Sequence, residues 1–235
     1  MSVSEVFNID NMIYMATIPD KFFDLVIADP PYGINVAKMA YTQEENRPVK
    51  QKNGTVLRVK KLKYSHGGWD SKPPDIKYLK ELKRISKNQI IWGINYMDFH
   101  LRGGRIVWNK MNGNNSFSDC EIAYCSLHER VRLFSYMWSG MFQGSTLNGT
   151  IMQGDKKLNE NRIHPTQKPI QLYKWLLKNY AKQGDKIFDP NMGSQSSRIA
   201  AYDMGFDYYG CELDKDYFEQ GNKRFENFKL QLKLL

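Results

Sequence analysis

Residues Phe22-Phe23-Asp24-Leu25-Val26-Ile27-Ala28-Asp29-Pro30-Pro31-Tyr32 decide how this chain is read. The apolar run 22–28 has strand length and β-branched content. Pro30 excludes Asp29 from helical backbone, so the chain leaves the strand in an extended turn that two prolines stiffen. A carboxylate, a fixed carbonyl and an aromatic ring are thereby gathered at one strand end. Asp29 and the Pro30 carbonyl can accept hydrogen bonds from one exocyclic amino group, and the Tyr32 ring offers a face to a planar base. The constellation suits an extruded nucleobase. An ordinary strand-to-loop turn around a buried tyrosine is the other reading that these four residues allow.

Working outward, the 235 residues are 41% hydrophobic and 13% aromatic, enough for one sizeable core, and no low-complexity linker divides them. A single domain over 1–235 is expected. No basic segment followed by an apolar run opens the chain, and no window approaches about 18 consecutive apolar residues. Neither secretion nor a membrane span is therefore expected, and a cytoplasmic location is the default. Cys120, Cys125 and Cys211 form no C-x-x-C pair and the four histidines do not cluster, so reduced thiols are expected and no metal site.

The formal net charge of +9 favours a polyanionic partner, and its placement is uneven. Arg47, Lys50, Lys52, Arg58, Lys60, Lys61 and Lys63 fall in a stretch without acidic residues, inside a basic insertion spanning about 41–68. Asn53-Gly54 in its middle reads as a hairpin turn, and the flanks as a β-ribbon whose cations meet phosphates.

Further along, 75–85 carries Ile76, Leu79, Leu82 and Ile85 at helical spacing, while 89–92, 105–108 and 121–125 read as strands. This alternation predicts an α/β sheet. The segment 129–162 is irregular, aromatic and glycine-containing, and is assigned no elements; it is a candidate target-recognition segment or a long surface connection.

A second informative region is Lys186-Ile187-Phe188-Asp189-Pro190-Asn191-Met192-Gly193-Ser194-Gln195-Ser196-Ser197. A short strand ends in a carboxylate, turns through Gly193 and enters a helix over 195–204 closed by Gly205, the pattern of a loop that cradles an adenosine-containing cofactor. A second strand, 208–211, ends in Glu212, 23 residues after Asp189 (212 − 189), the spacing at which an acid meets ribose hydroxyls. Upstream lies His164-Pro165-Thr166-Gln167-Lys168-Pro169, a proline-held loop before a helix over 170–180.

With these motifs in view, nearly the whole chain resembles an amino-methylating DNA methyltransferase that uses S-adenosylmethionine, of the class in which the catalytic motif precedes the cofactor motif. The match rests on D-P-P-Y at 29–32, H-P-T-Q-K-P at 164–169, the D-P-x-x-G-S loop from Asp189, and the acid Glu212. Trp69-Asp70 and the stretch 88–96 also resemble small phage and prophage methyltransferases. The resemblance implies a Rossmann-like methyltransferase fold: a mostly parallel central sheet, helices on both faces, and permuted motif order. It implies catalysis by Asp29, Pro30, Pro31 and Tyr32. It implies cofactor contacts from His164, Thr166, Gln167, Lys168, Asp189, Pro190, Asn191, Met192, Gly193, Ser194 and Glu212. Double-stranded DNA is the implied partner, a homodimer is left open, and aspartate as first motif residue favours adenine N6 over cytosine N4. An RNA substrate, or a non-catalytic nucleic-acid-binding protein with a degenerate cofactor loop, are the alternatives. The departures are Asn191 and Gln195, the latter standing where the family has a second glycine. A requirement there for positive φ would weaken cofactor binding, whereas in a first helical turn the side chain would point outward.

Overall fold

The structure is a computed structural model that describes residues 2–36, 48–50, 54–58, 70–113, 118–139, 142–147, 150–153 and 159–232. Strand β1 (Ser4–Phe7) leads into α1 (Asn11–Ala16), whose N-cap Asp10 accepts from the Met12 and Ile13 amides. Strand β2 (Phe23–Ala28) is the apolar run before Asp29 and is buried on both faces, as a central parallel strand must be. The basic stretch supplies the antiparallel pair β3 (Pro48–Lys50) and β4 (Val56–Arg58), with Gly54 at φ +83° beside the turn.

Helix α2 (Ile76–Ile85) is capped by Asp75 and buries Tyr78, Leu79, Leu82 and Ile85. Ile76, expected on that buried face from its spacing, is 47% exposed because it sits in the first turn, before the helix reaches the sheet. Strands β5 (Ser86–Trp92), β6 (Gly104–Asn109) and β7 (Cys120–Cys125) follow as expected.

The segment assigned no elements from sequence contains four strands: β8 (Val131–Ser135), β9 (Met137–Ser139), β10 (Phe142–Leu147) and β11 (Thr150–Gln153). Strand β8 lies at the edge of the main sheet with Val131 and Leu133 exposed, so the alternation that betrays a half-buried strand is missing. Strands β9, β10 and β11 make a separate antiparallel sheet. The chain then runs through α3 (Ile170–Tyr180), β12 (Lys186–Asp189), α4 (Ser196–Asp203), β13 (Asp207–Cys211) and α5 (Lys215–Leu232).

The eight-stranded sheet has the order β1-β13-β12-β2-β5-β7-β6-β8, parallel except where β7 runs against both its neighbours. The register sets Ile187 beside Leu25 and Phe188 beside Val26, which brings strands distant in sequence to one C-terminal edge. Each face carries its own core. Leu25, Ile27, Ile90 and Trp92 pack with Leu172, Leu176, Ala200 and Ala201 on one side, and Phe23, Val26 and Ala28 pack with Leu79, Leu82 and Phe188 on the other. Phe23 stacks on Phe188 at 4.6 Å, tying β2 to β12 from the core side. Full burial of such side chains contributes about 1.5–3 kcal/mol each. The result is the Rossmann-like, mostly parallel sheet with helices on both faces and permuted motif order that the resemblance implies. Among the described residues no helix is long and apolar enough to cross a membrane.

Candidate active site

Because β13, β12 and β2 are adjacent and parallel, their ends deliver Glu212, Pro190 and Asp29 side by side. Strand β7 runs the other way, so its beginning, with Glu121, reaches the same edge, as does the end of β6 with Lys110. A cavity of about 1470 Å³ opens there. Single small-ligand sites usually measure about 300–1,000 Å³, so this one has room for two occupants.

Of the residues singled out in the sequence, Asp29, Pro30, Pro31, Tyr32, His164, Thr166, Gln167, Lys168, Pro190, Asn191, Met192, Gly193, Ser194 and Glu212 line this cavity. Asp189 does not. Lys50 and Arg58 belong to the β3–β4 ribbon, while Arg47, Lys52, Lys60, Lys61 and Lys63 lie outside the described residues.

Asp189 acts from behind the loop. Its buried carboxylate accepts from Ser197 Oγ at 2.6 Å and from the Asn191 amide at 2.9 Å, so it ties the loop to the start of α4. Burial pushes its carboxyl up to about 7, against the two hydrogen bonds. A carboxyl raised from 3.8 to about 7 on folding contributes stability that is full below 3.8 and lost as pH rises through about 7. Asp189→Asn, which keeps the Asn191 contact through its oxygen and meets Ser197 Oγ with its NH2 as donor, carries no charge and is expected to remove that decline. Melting temperatures of the two proteins should converge in acid and favour the variant at neutral pH and above.

Gly193 sits at φ +48°, and its amide donates to Glu212 Oε2 at 2.7 Å, locking the loop to the end of β13. The other oxygen of Glu212 accepts from the Asp214 amide at 2.9 Å. Asn191 accepts at Oδ1 from the Tyr78 hydroxyl at 2.7 Å, so this departure from the family pattern anchors the loop to α2.

Gln195 meets one expectation and departs from the other. The position does require positive φ, at +59°, yet the side chain is completely buried and turned away from the cavity, under α5. Its Nε2 donates to the Phe218 carbonyl and to Asn222 Oδ1, and its Oε1 accepts from Arg198. The space is made by Gly221, where an added Cβ would lie 2.7 Å from Gln195 Cγ. Arg224, also on α5, donates to the Ser194 carbonyl at 2.7 Å and pairs with Glu160. Gly221→Ala is therefore expected to push the loop out of place. Overpacking of about 1–3 kcal/mol would weaken a ligand held by the loop by roughly tenfold or more, and adding Gln195→Gly should restore it. Calorimetric titration with S-adenosylmethionine reads both steps.

The other half of the cavity is a buried charge cluster. Lys168 Nζ lies 2.5 Å from Asp29 Oδ1, 2.9 Å from Glu121 Oε2 and 3.0 Å from the Tyr32 oxygen. Tyr32 donates its hydroxyl to Asp29 at 2.8 Å or to Glu121 at 3.1 Å, and Lys110 reaches Glu121 at 2.7 Å. Burial pushes Asp29 upward against the pull of Lys168. Burial also works against the charge of Lys168 itself, but Asp29 and Glu121 outweigh it and hold the ammonium above its ordinary range. Glu121 meets the same burial, yet Lys168 and Lys110 bring it down to about 2. The H-P-T-Q-K-P lysine, expected on the cofactor, thus faces the D-P-P-Y carboxylate.

Two more expectations change. The Tyr32 ring, expected to offer an open face, stacks on Tyr96 at 5.0 Å and 14° and rests against Gly93, where a Cβ would fall 2.1 Å from Cε1. Gln167 spends its side chain on its own loop, accepting from the Ile163 amide and donating to the Asn161 carbonyl, while its carbonyl accepts from Trp138 Nε1. His164 is half-buried and lies edge-on against Tyr217 at 4.2 Å; loss of hydration lowers it to about 3, so it is neutral at physiological pH. The turn after Tyr32 is fixed by Asp70, which accepts from the Gly33 and Val36 amides.

Sequence reasoning missed Glu121 and Lys110, which look like ordinary strand ends until the antiparallel register of β7 is known. It also missed Ile9, Asp10, Asn11 and Met12, the lead-in and first turn of α1, which carry no motif and complete the cavity beside Glu212. The signal for these was the Asp10 cap following a strand.

A family model described as DNA methylase matches residues 129–223. The type II methyltransferase M.HinfI of Haemophilus influenzae is 25% identical over 256 residues, covering 92% of this chain and 66% of that protein. M2.MboI of Moraxella bovis is 23% identical, covering 94% and 86%. The chain thus spans about two thirds of M.HinfI and more of M2.MboI. Among solved structures, the complex of M1.HpyAVI with S-adenosylmethionine superposes with a TM-score of 0.51 at 18% identity, covering 94% of this chain and 98% of that one. The cytosine-N4-specific PvuII DNA methyltransferase superposes at 0.55 and 11%, covering 97% and 91%. Over most of its length the chain is thus similar to type II DNA methyltransferases, and over residues 129–223 it matches the DNA methylase model.

Proposed function

We propose that this chain transfers a methyl group from S-adenosylmethionine to the exocyclic N6 of adenine in double-stranded DNA. The observation that carries this reading is that the carboxylates of Asp29 and Glu212 open onto one cavity, with the 190–194 loop between them. The residues present suit the cofactor. Glu212 would take the ribose hydroxyls, the apolar side chains of Ile9, Met12, Pro190 and Leu213 would flank the purine, and the backbone at Gly193 allows close approach. When bound, S-adenosylmethionine supplies an electrophilic methyl group.

The rest is the work of the chain. An exocyclic amine is a poor nucleophile because its lone pair is conjugated with the ring. Asp29 and the Pro30 carbonyl accept its two N–H bonds, favour pyramidal nitrogen and stabilise the positive charge that develops during attack. Aspartate at the head of the motif supports adenine as the target. The β9–β11 sheet, which reaches the cavity through Trp138 and Ser139, is suited to reading neighbouring bases, and the basic ribbon is suited to phosphates.

Expression in a methylation-deficient host, followed by sequencing of its DNA with detection of modified bases, tests this reading. N6-methyladenine within one short recognition sequence is the expected result. Modified cytosine would move the target to N4, and DNA without modified bases would overturn the proposal.

A further inference from the structure

Beside Asp29 the cavity holds a further carboxylate, Glu121, that the proposed chemistry does not use. Glu121 is fixed by Lys110 at 2.7 Å and by Lys168 at 2.9 Å, and it lies within 3.1 Å of the Tyr32 hydroxyl. With Asp29 it forms a closed square of four groups: Asp29, Lys168, Glu121 and Tyr32. In this arrangement the Lys168 ammonium and the Tyr32 hydroxyl both reach Asp29 Oδ1. A carboxylate has two oxygens, so Oδ2 stays available to an incoming amino group.

Lys168 is 1% exposed, and its ammonium also lies 5.5 Å from the Trp92 ring. A lysine bonded to one carboxylate alone would neutralise it and blunt its attraction for the amine. A lysine shared between two carboxylates leaves Asp29 a net acceptor.

Resting on the methyl-transfer reading above, we propose that Glu121 is a positioning residue: by sharing Lys168 with Asp29 it keeps the ammonium from closing on Asp29 alone, so that Asp29 retains the charge with which it receives the amino group of the target base.

The test compares the full chain with Glu121→Gln and Glu121→Asp. In Glu121→Gln, Lys168 closes on Asp29, so single-turnover methylation is expected to fall by about 10- to 100-fold, with S-adenosylmethionine affinity within about twofold of the parent. Loss of the neighbouring negative charge should also move the acid limb of the rate–pH profile downward. Glu121→Asp, which keeps the charge, should leave that limb near its original place. Unchanged rate and limb in Glu121→Gln would overturn the proposal, as would a loss of rate matched by an equal loss of cofactor affinity.

A turnover-free arm separates this from failure of the methylation reading itself. Carbon-detected NMR titration of the Asp29 carboxyl should show a lower midpoint in Glu121→Gln than in the parent. A lowered midpoint in a chain that methylates no DNA would leave the Glu121 arrangement standing and sink the methyl-transfer reading. An unmoved midpoint would sink the Glu121 arrangement whatever the activity.

Discussion

Asp29→Ala is expected to abolish measurable methylation while leaving S-adenosylmethionine binding within about twofold of the parent, because in the proposed reading the cofactor is held by Glu212 and the 190–194 loop and not by Asp29. Loss of one preorganised electrostatic group commonly costs about 10²–10³ in rate. Here the loss should exceed that, since alanine removes the acceptor for the amine and leaves Lys168, which is 1% exposed, in the same space. A cation left where positive charge must develop opposes the reaction. Asp29→Asn separates the two effects: it keeps the shape and an acceptor oxygen but not the charge. Single-turnover rates with calorimetric affinities for all three proteins would decide the matter, and retained turnover in Asp29→Ala would remove Asp29 from the mechanism.

Lys168→Met should damage the fold before it damages the chemistry. The substitution deletes the cation that faces Asp29 at 2.5 Å and Glu121 at 2.9 Å, leaving two partly enclosed carboxylates close to one another. Breaking a buried pair by removing one partner typically costs about 3–5 kcal/mol, and the lower end applies because Lys110 still holds Glu121. The pH dependence follows from Glu121, which lies at about 2 in the folded protein against an ordinary 4.5. A depressed carboxyl contributes stability that is present above 4.5 and lost as pH falls toward 2, and Lys168 is the first cation responsible. In the variant both carboxyls protonate more readily, so the deficit should be largest near neutrality and shrink in mild acid. Denaturant unfolding at the two pH values measures it; an equal deficit at both would mean that lost packing, not charge, is the cause.

What the sequence disclosed depended on whether neighbours in space were also marked in the chain. The 22–32 stretch announces its strand and its turn, and 186–197 announces a strand, a glycine and a helix, because burial and backbone restriction act locally. Pro30 and Gly193 do their work on their own dihedral angles. Glu121 was illegible for the opposite reason: its importance comes from the reversed direction of β7, which is set by pairing with β5 and β6. Lys168 was legible as part of a motif but misplaced, since the motif does not say which wall of the cavity a long side chain will reach. The strands in 131–153 escaped notice because an edge strand and a small separate sheet show no periodic apolar face.

The fit between Gln195 and Gly221 bears on how relatives of this chain should be sought. The backbone freedom usually kept in the loop has been traded for a missing side chain on a distant helix, so the two positions form a single lock. Either change alone is expected to be harmful: glutamine opposite a bulkier residue has no room, and glycine opposite glycine leaves a hole. The pair should therefore be inherited together and vary together. A search that scores the loop by itself would reject as defective a lineage in which the loop is intact.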